Sequence, residues 1–142
     1  MAAGVTLDTG ALIGLERRDR WITKRLDAWR ADNTKVTVPA AVLAEWWRGS
    51  DRAEILSMVD VEPMTAVIAM AAGLALGEVR DAHVVDAIVM ASAALRGDLV
   101  YTVDFDDLMR LRGHFPTVRV FSPTQEPRSS KATPSRENRR LD

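Results

Sequence analysis

The sequence contains no cysteine, which excludes a disulfide scaffold, thiolate zinc sites and a cysteine nucleophile together and suits a reducing compartment. Histidine is nearly as scarce: with only His83 and His114 there is no imidazole cluster, so a metal must rely on oxygen ligands. No window approaches the roughly 18 uncharged apolar residues of a membrane span, and the amino terminus lacks the basic-then-apolar layout of a signal peptide. The chain is therefore expected to stay in the cytoplasm. No excess of positive charge is present either: 19 Lys and Arg stand against 20 Asp and Glu, for a net charge of −1, so any contact with nucleic acid must come from local clusters. A Gly-x-x-x-x-Gly-Lys phosphate loop, a Gly-x-Ser-x-Gly elbow and internal repeats are all missing, which argues against nucleotide hydrolases, esterases and solenoids.

What is present is enough for one core, since 142 residues with 47% hydrophobic content match a single domain. Val5-Thr6-Leu7 is a short β-prone run, after which Ala11, Leu12 and Leu15 recur at helical spacing. A second amphipathic helix is expected over about 21–29, with Trp21, Ile22, Leu26 and Trp29 on one face and basic residues on the other. Val36-Thr37-Val38 reads as a strand. Pro39 suits the first turn of a helix carrying Val42, Leu43, Glu45, Trp46 and Trp47, with Gly49 as its stop. A short helix over 53–58 and the run Val59-Asp60-Val61 lead to Thr65, which can cap a further helix, apolar all round and expected to be largely buried. Another apolar helix over 84–95 is closed by Gly97. Leu99 to Val103 follows as a strand, then a helix over 106–111 and a last strand over 118–121. Strands alternating with helices imply an α/β fold with a parallel sheet covered on both faces. From Ser122 the composition turns to Ser, Pro, Thr, Lys and Arg, so residues 123–142 are expected to form a disordered tail.

The acids fall at informative places. In an open parallel sheet ligands bind at the carboxyl ends of the strands, and Asp8 and Asp104 each follow a strand directly. Glu45 lies in a helix leaving the same edge. Asp86 opens an apolar helix between Val84, Val85, Ala87 and Ile88, where a carboxylate needs a cation, a basic residue or a helix N-terminus beside it. Carboxylates held close together repel one another, and Mg²⁺ or Mn²⁺ relieves this while leaving open positions for water and phosphate oxygens, the arrangement of phosphodiester hydrolysis. Four acids scattered among 20 need not meet in space, so position alone leaves this open.

In this order the residues closely resemble the PIN-domain family, and within it the VapC toxins of bacterial and archaeal toxin–antitoxin pairs. The likeness covers about residues 5–121. It is carried by Leu7-Asp8-Thr9-Gly10-Ala11-Leu12, Ala44-Glu45, Val85-Asp86-Ala87 and Thr102-Val103-Asp104. The resemblance implies a three-layer α/β/α PIN-like domain over residues 1–122. It implies Mg²⁺ or Mn²⁺ at an acidic quartet of Asp8, Glu45, Asp86 and Asp104, and endonucleolytic cleavage of RNA. Frequent homodimers and a cognate antitoxin protein that inserts near the active site are implied as well. Thr9 matches a hydroxyl residue that supports the first Asp, Thr102 is placed to help likewise, and Asp107 is a candidate for an outer supporting role. Gly10 departs from the Ser often found there.

Plainer roles compete at each position. Asp8 is also a good helix N-cap, Glu45 can be a solvated helix residue, Asp86 can pair with Arg80, and Asp104, Asp106 and Asp107 can all serve a helix start. Trp46 and Trp47 fit a core or a dimer interface better than base stacking, because neighbours on a helix point about 100° apart. The basic run Arg17, Arg18, Arg20, Lys24 and Arg25 suits RNA phosphates or simply a solvated face. Asp8-Thr9-Gly10 also resembles the signature of retroviral-type aspartic proteases, but those need a mostly β dimer, which the alternation contradicts. The other functional alternatives are a PIN-fold module that binds RNA or protein without cutting, and a nuclease acting on DNA.

Overall fold

The computed structural model describes residues 3–123. All of the expected tail except Pro123 lies outside the described residues.

Two apolar stretches, β1 (Val5–Leu7) and β2 (Val36–Pro39), are buried at every residue. Strands covered on both faces have no solvent side on which to alternate, which is why these read as continuous runs. They are joined by α1 (Thr9–Glu16) and α2 (Arg20–Ala31). After β2 come α3 (Ala40–Trp46), a 3-10 turn at Ser50–Arg52, α4 (Ala53–Leu56) and β3 (Asp60–Glu62). Then α5 (Ala66–Glu78) and α6 (Val84–Arg96) lead to β4 (Leu99–Tyr101), α7 (Phe105–Arg112) and β5 (Val120–Phe121). The five strands form one parallel sheet in the order β3-β2-β1-β4-β5. The chain steps from β1 outward to β3 and then crosses to the other side of β1. Right-handed crossovers in opposite directions put α1 to α4 over one face and α5 to α7 over the other, the expected three layers. The core between them includes Leu7, Leu12, Ile22, Val38, Trp46, Met90, Val100 and Leu108, each no more than 2% exposed.

Helix boundaries follow local chemistry. Thr65 caps α5 by accepting the Ile68 N–H at 3.2 Å. Gly97, at φ +77°, closes α6: the Asp98 N–H reaches Ala93 O at 2.9 Å while the Gly97 N–H reaches Ala94 O, a pairing that favours glycine. At the same end Arg96 bonds Thr6, Ser92, Asp98 and Glu62, tying α6 to β1 and to the end of β3. A helix that precedes a parallel strand runs against it, so this join leaves the start of α6, with Asp86, at the carboxyl edge of the sheet.

Four expectations need correction. Pro39 ends β2 and caps α3 instead of occupying its first turn. Helix α3 stops at Trp46, where Trp47 turns extended, two residues before Gly49. The fourth strand ends at Tyr101 and not at Val103, because its pairings with both neighbours, β1 and β5, stop at Tyr101. Finally, α5 is not largely buried: Ile68, Ala72 and Ala75 face the core, whereas Val67, Met70 and Leu74 are 57%, 63% and 69% exposed. An all-apolar helix carries no pattern to say which face is covered.

Candidate active site

The strand order reverses between β1 and β4, and a crevice opens at their carboxyl ends where neighbouring connections leave in opposite directions. Asp8 follows β1, and Thr102 and Asp104 follow β4. Asp8 is 3% exposed. One carboxylate oxygen caps α1 by accepting the Ala11 N–H at 3.0 Å, so the plainer capping role is real. The other accepts a hydrogen bond from the Thr102 hydroxyl. That hydroxyl in turn accepts the Asp104 N–H at 2.8 Å. Gly10 lies between the two acids: a Cβ there would stand 3.5 Å from Asp104 Oδ2 and 3.6 Å from Asp8 Oδ1. It would also stand 2.9 Å from Val103 Cγ2, so a Ser at this position would require the Val103 side chain to turn.

Glu45 projects from α3 as an exposed side chain and accepts a hydrogen bond from the Thr9 hydroxyl at 2.5 Å. Thr9 thus supports Glu45, and Thr102 alone supplies the hydroxyl expected beside Asp8. Asp86 is half-buried in the first turn of α6. It makes no ion pair with Arg80 among the described residues; its compensation comes from the helix start and the neighbouring His83.

Electrostatic interactions run between several of these residues. Burial pushes the Asp8 carboxyl up from the ordinary 3.8 to about 7, its two hydrogen bonds oppose the shift, and the charges of Asp104 and Asp86 add to it. Burial also raises Asp86, followed by repulsion from Asp107, with Asp104 and Glu45 adding and His83 opposing. Asp8 thus feels Asp86 and Asp104, while Asp86 feels Asp107, Asp104 and Glu45. Asp106 and Asp107 flank Asp104 along an open cavity of about 570 Å³ that reaches Ser122 and Pro123.

The donors fit a hard divalent cation: every candidate ligand is a carboxylate, and among the described residues no Lys or Arg pairs with Asp8, whose charge is met only by its two hydrogen bonds. As the side chains lie, no three acids or histidines among the described residues are gathered closely enough to hold an ion. Asp8 is fixed by two hydrogen bonds and Glu45 is held by Thr9, whereas the Asp104 side chain is exposed.

Comparison with solved structures places the fold. The chain superposes on a chain of the DNA-bound VapBC of Salmonella typhimurium with a TM-score of 0.67 and 15% identity, covering 86% of this chain and 99% of that one. A chain of Rickettsia felis VapBC2 bound to a promoter DNA fragment gives 0.67 and 15%, covering 83% and 97%. A chain of a toxin–antitoxin complex from Klebsiella pneumoniae gives 0.64 and 20%, covering 86% and 98%. The fold is PIN-like. No family model and no curated protein sequence matches the chain. The PIN-like fold brings Asp8 and Asp104 to adjacent strand ends and sets the start of α6 and the side of α3 beside them.

Other residues singled out by the sequence lie elsewhere. Trp46 is 2% exposed and donates to Glu16, a core residue, while Trp47 is 36% exposed. His114 pairs with Glu78 at 2.7 Å, joining α7 to the end of α5. The basic run does not act as one surface. Arg17 lines a cleft beside Glu45 and Arg48, Arg18 turns toward α4, and Arg20, Lys24 and Arg25 face Tyr101 and Pro123.

Proposed function

We propose that this chain is a metal-dependent endoribonuclease, the toxin of a toxin–antitoxin pair, with Mg²⁺ or Mn²⁺ held by Asp8, Glu45, Asp86 and Asp104. The carrying observation is the buried Asp8 carboxylate, hydrogen-bonded at both oxygens, without a basic partner among the described residues, and coupled to Asp86 and Asp104 at the reversal of strand order.

A divalent ion bound there supplies Lewis-acid activation of water and phosphodiester, and neutralises the repulsion among the acids. The chain's own residues perform the positioning. Thr102 and the Ala11 N–H fix Asp8 with both oxygens directed. Thr9 steadies Glu45 on the opposite wall. Asp86 stands half-buried at the start of α6, its carboxyl raised by burial and by the charge of Asp107.

An antitoxin partner is supported by the complexes in which the superposing chains occur. A homodimer is supported by the uncovered apolar ridge of Val67, Met70 and Leu74 on α5. A cytoplasmic location accords with such a role, and no helix among the described residues is long and apolar enough to cross a membrane. The competing reading, a module that binds without cutting, is favoured by the one observation that the acids do not stand as a ready chelate.

The deciding experiment is incubation of a mixed cellular RNA pool with the purified chain in Mg²⁺, Mn²⁺ or EDTA. Discrete fragments that disappear with EDTA support the nuclease. An uncut pool under every metal, together with retained RNA binding, supports the binding module, and cleavage of DNA alone redirects the assignment to a DNA nuclease.

A further inference from the structure

Three of the basic residues converge on a feature that the nuclease chemistry does not use. Arg20, Lys24 and Arg25 lie along one side of α2 and, with Trp21, Tyr101 and Pro123, enclose an open cleft of about 450 Å³. Pro123 also lines the acidic cavity beside Asp104, so the two hollows meet at that residue. The cleft is built and not merely a charged helix face. Its floor is Tyr101, 3% exposed, with the Trp21 ring stacked against it at 5.7 Å and Trp29 edge-on at 5.5 Å. The Arg25 guanidinium lies 5.8 Å from the centre of the Tyr101 ring, which restrains it. Arg20 and Lys24 are exposed at the rim.

From this geometry we infer that the α2 cleft is the backbone-binding groove for single-stranded RNA on the Asp104 side of the acids. Repulsion explains why such a groove is needed. A polyanion approaching Asp8, Asp86, Asp104, Asp106 and Asp107 is held off by their charge, and a chain with net charge −1 offers no general attraction to offset it. Cations placed one step away along the strand hold the flanking phosphates while the scissile one sits over the carboxylates. Exposed basic side chains on a rigid rim, backed by packed aromatics, suit the phosphates of a single strand, which take the cations one after another. The inference rests on the ribonuclease reading for the identity of the polymer, but the cleft is tested without cleavage.

The test is fluorescence anisotropy of a short labelled single-stranded oligoribonucleotide with the full chain in EDTA, at several salt concentrations. The double variant Arg20→Glu/Lys24→Glu is compared with Arg30→Glu/Lys35→Glu, which changes net charge equally toward the opposite end of α2. The cleft variant is expected to bind at least tenfold more weakly than wild type, with the slope of log affinity against log salt reduced by about 1–2, while the control stays within about twofold. Equal weakening by both variants, unchanged binding by the cleft variant, or no binding by wild type at low salt each overturns the cleft. Should the wild type cut no RNA in Mg²⁺ or Mn²⁺ while the cleft variant alone loses binding, the nuclease reading falls and the groove stands. If RNA is cut and both variants bind as wild type, only the groove falls.

Discussion

The Thr102 hydroxyl donates to Asp8 and accepts the backbone N–H of Asp104, so one buried side chain couples the ends of the two strands that carry the site. Thr102→Val keeps the shape but removes both bonds, leaving the Asp104 N–H without its partner. It should cost about 1–3 kcal/mol of stability, and cleavage should fall more than tenfold. Thr102→Ser retains the hydroxyl and should recover most of both. Urea unfolding beside RNA cleavage checks this, and a fully active valine variant would remove Thr102 from the positioning machinery.

Stability should depend on pH through Asp8. Its carboxyl titrates near 7 in the folded chain and near 3.8 when solvated, so the folded state holds the proton more tightly. Between those values the folded state binds more protons than the unfolded one, and stability therefore falls as pH rises. The penalty is complete above about 7 and amounts to at most about 4 kcal/mol. In EDTA, Asp8→Asn should gain on wild type as pH is raised from 4.5 to 8 in urea unfolding, and saturating Mg²⁺ should narrow the gap. Parallel curves for the two proteins would contradict the buried charge.

Thr9 is predicted to act through Glu45. Thr9→Val releases the Glu45 carboxylate and should raise the Mg²⁺ concentration needed for half-maximal cleavage several-fold. Thr9→Ser should not, and stability should shift by no more than about 0.5 kcal/mol, because the contact is exposed. A magnesium titration of cleavage reads this directly.

The α5 ridge offers a test of self-association. Met70→Glu with Leu74→Glu places charges on positions that are already more than 60% exposed, so the fold should survive. If this ridge pairs two copies, light scattering after size-exclusion chromatography should show wild type as a dimer and the double variant as a monomer. Identical masses would remove α5 from the interface.

Much of this architecture was legible because strand and helix periods differ and the acids sit where strands stop. The placement of Asp8 and Asp104 beyond the ends of β1 and β4 follows from that, and the parallel sheet follows from alternation. What escaped depended on contacts between distant segments. The partner of Thr9 is set by where α3 lands, 36 residues away, whereas the family resemblance pointed to Asp8 instead. The early end of β4 was hidden because Thr102 and Val103 are good strand formers. The pairings with β1 and β5 both end at Tyr101, and just beyond that end the Thr102 hydroxyl donates to Asp8. The basic run reads as one patch in sequence, yet the turn between α1 and α2 divides it among three clefts.

The central claim is that Asp8, Glu45, Asp86 and Asp104 form one divalent-cation site, and Mn²⁺ binding measured by isothermal titration calorimetry tests it most directly. Wild type should bind Mn²⁺ with an affinity at least tenfold above that of Asp8→Asn and of Asp86→Asn, with circular dichroism spectra unchanged among the three. Equal binding by wild type and both variants, or no binding at all by the wild-type chain, would contradict it.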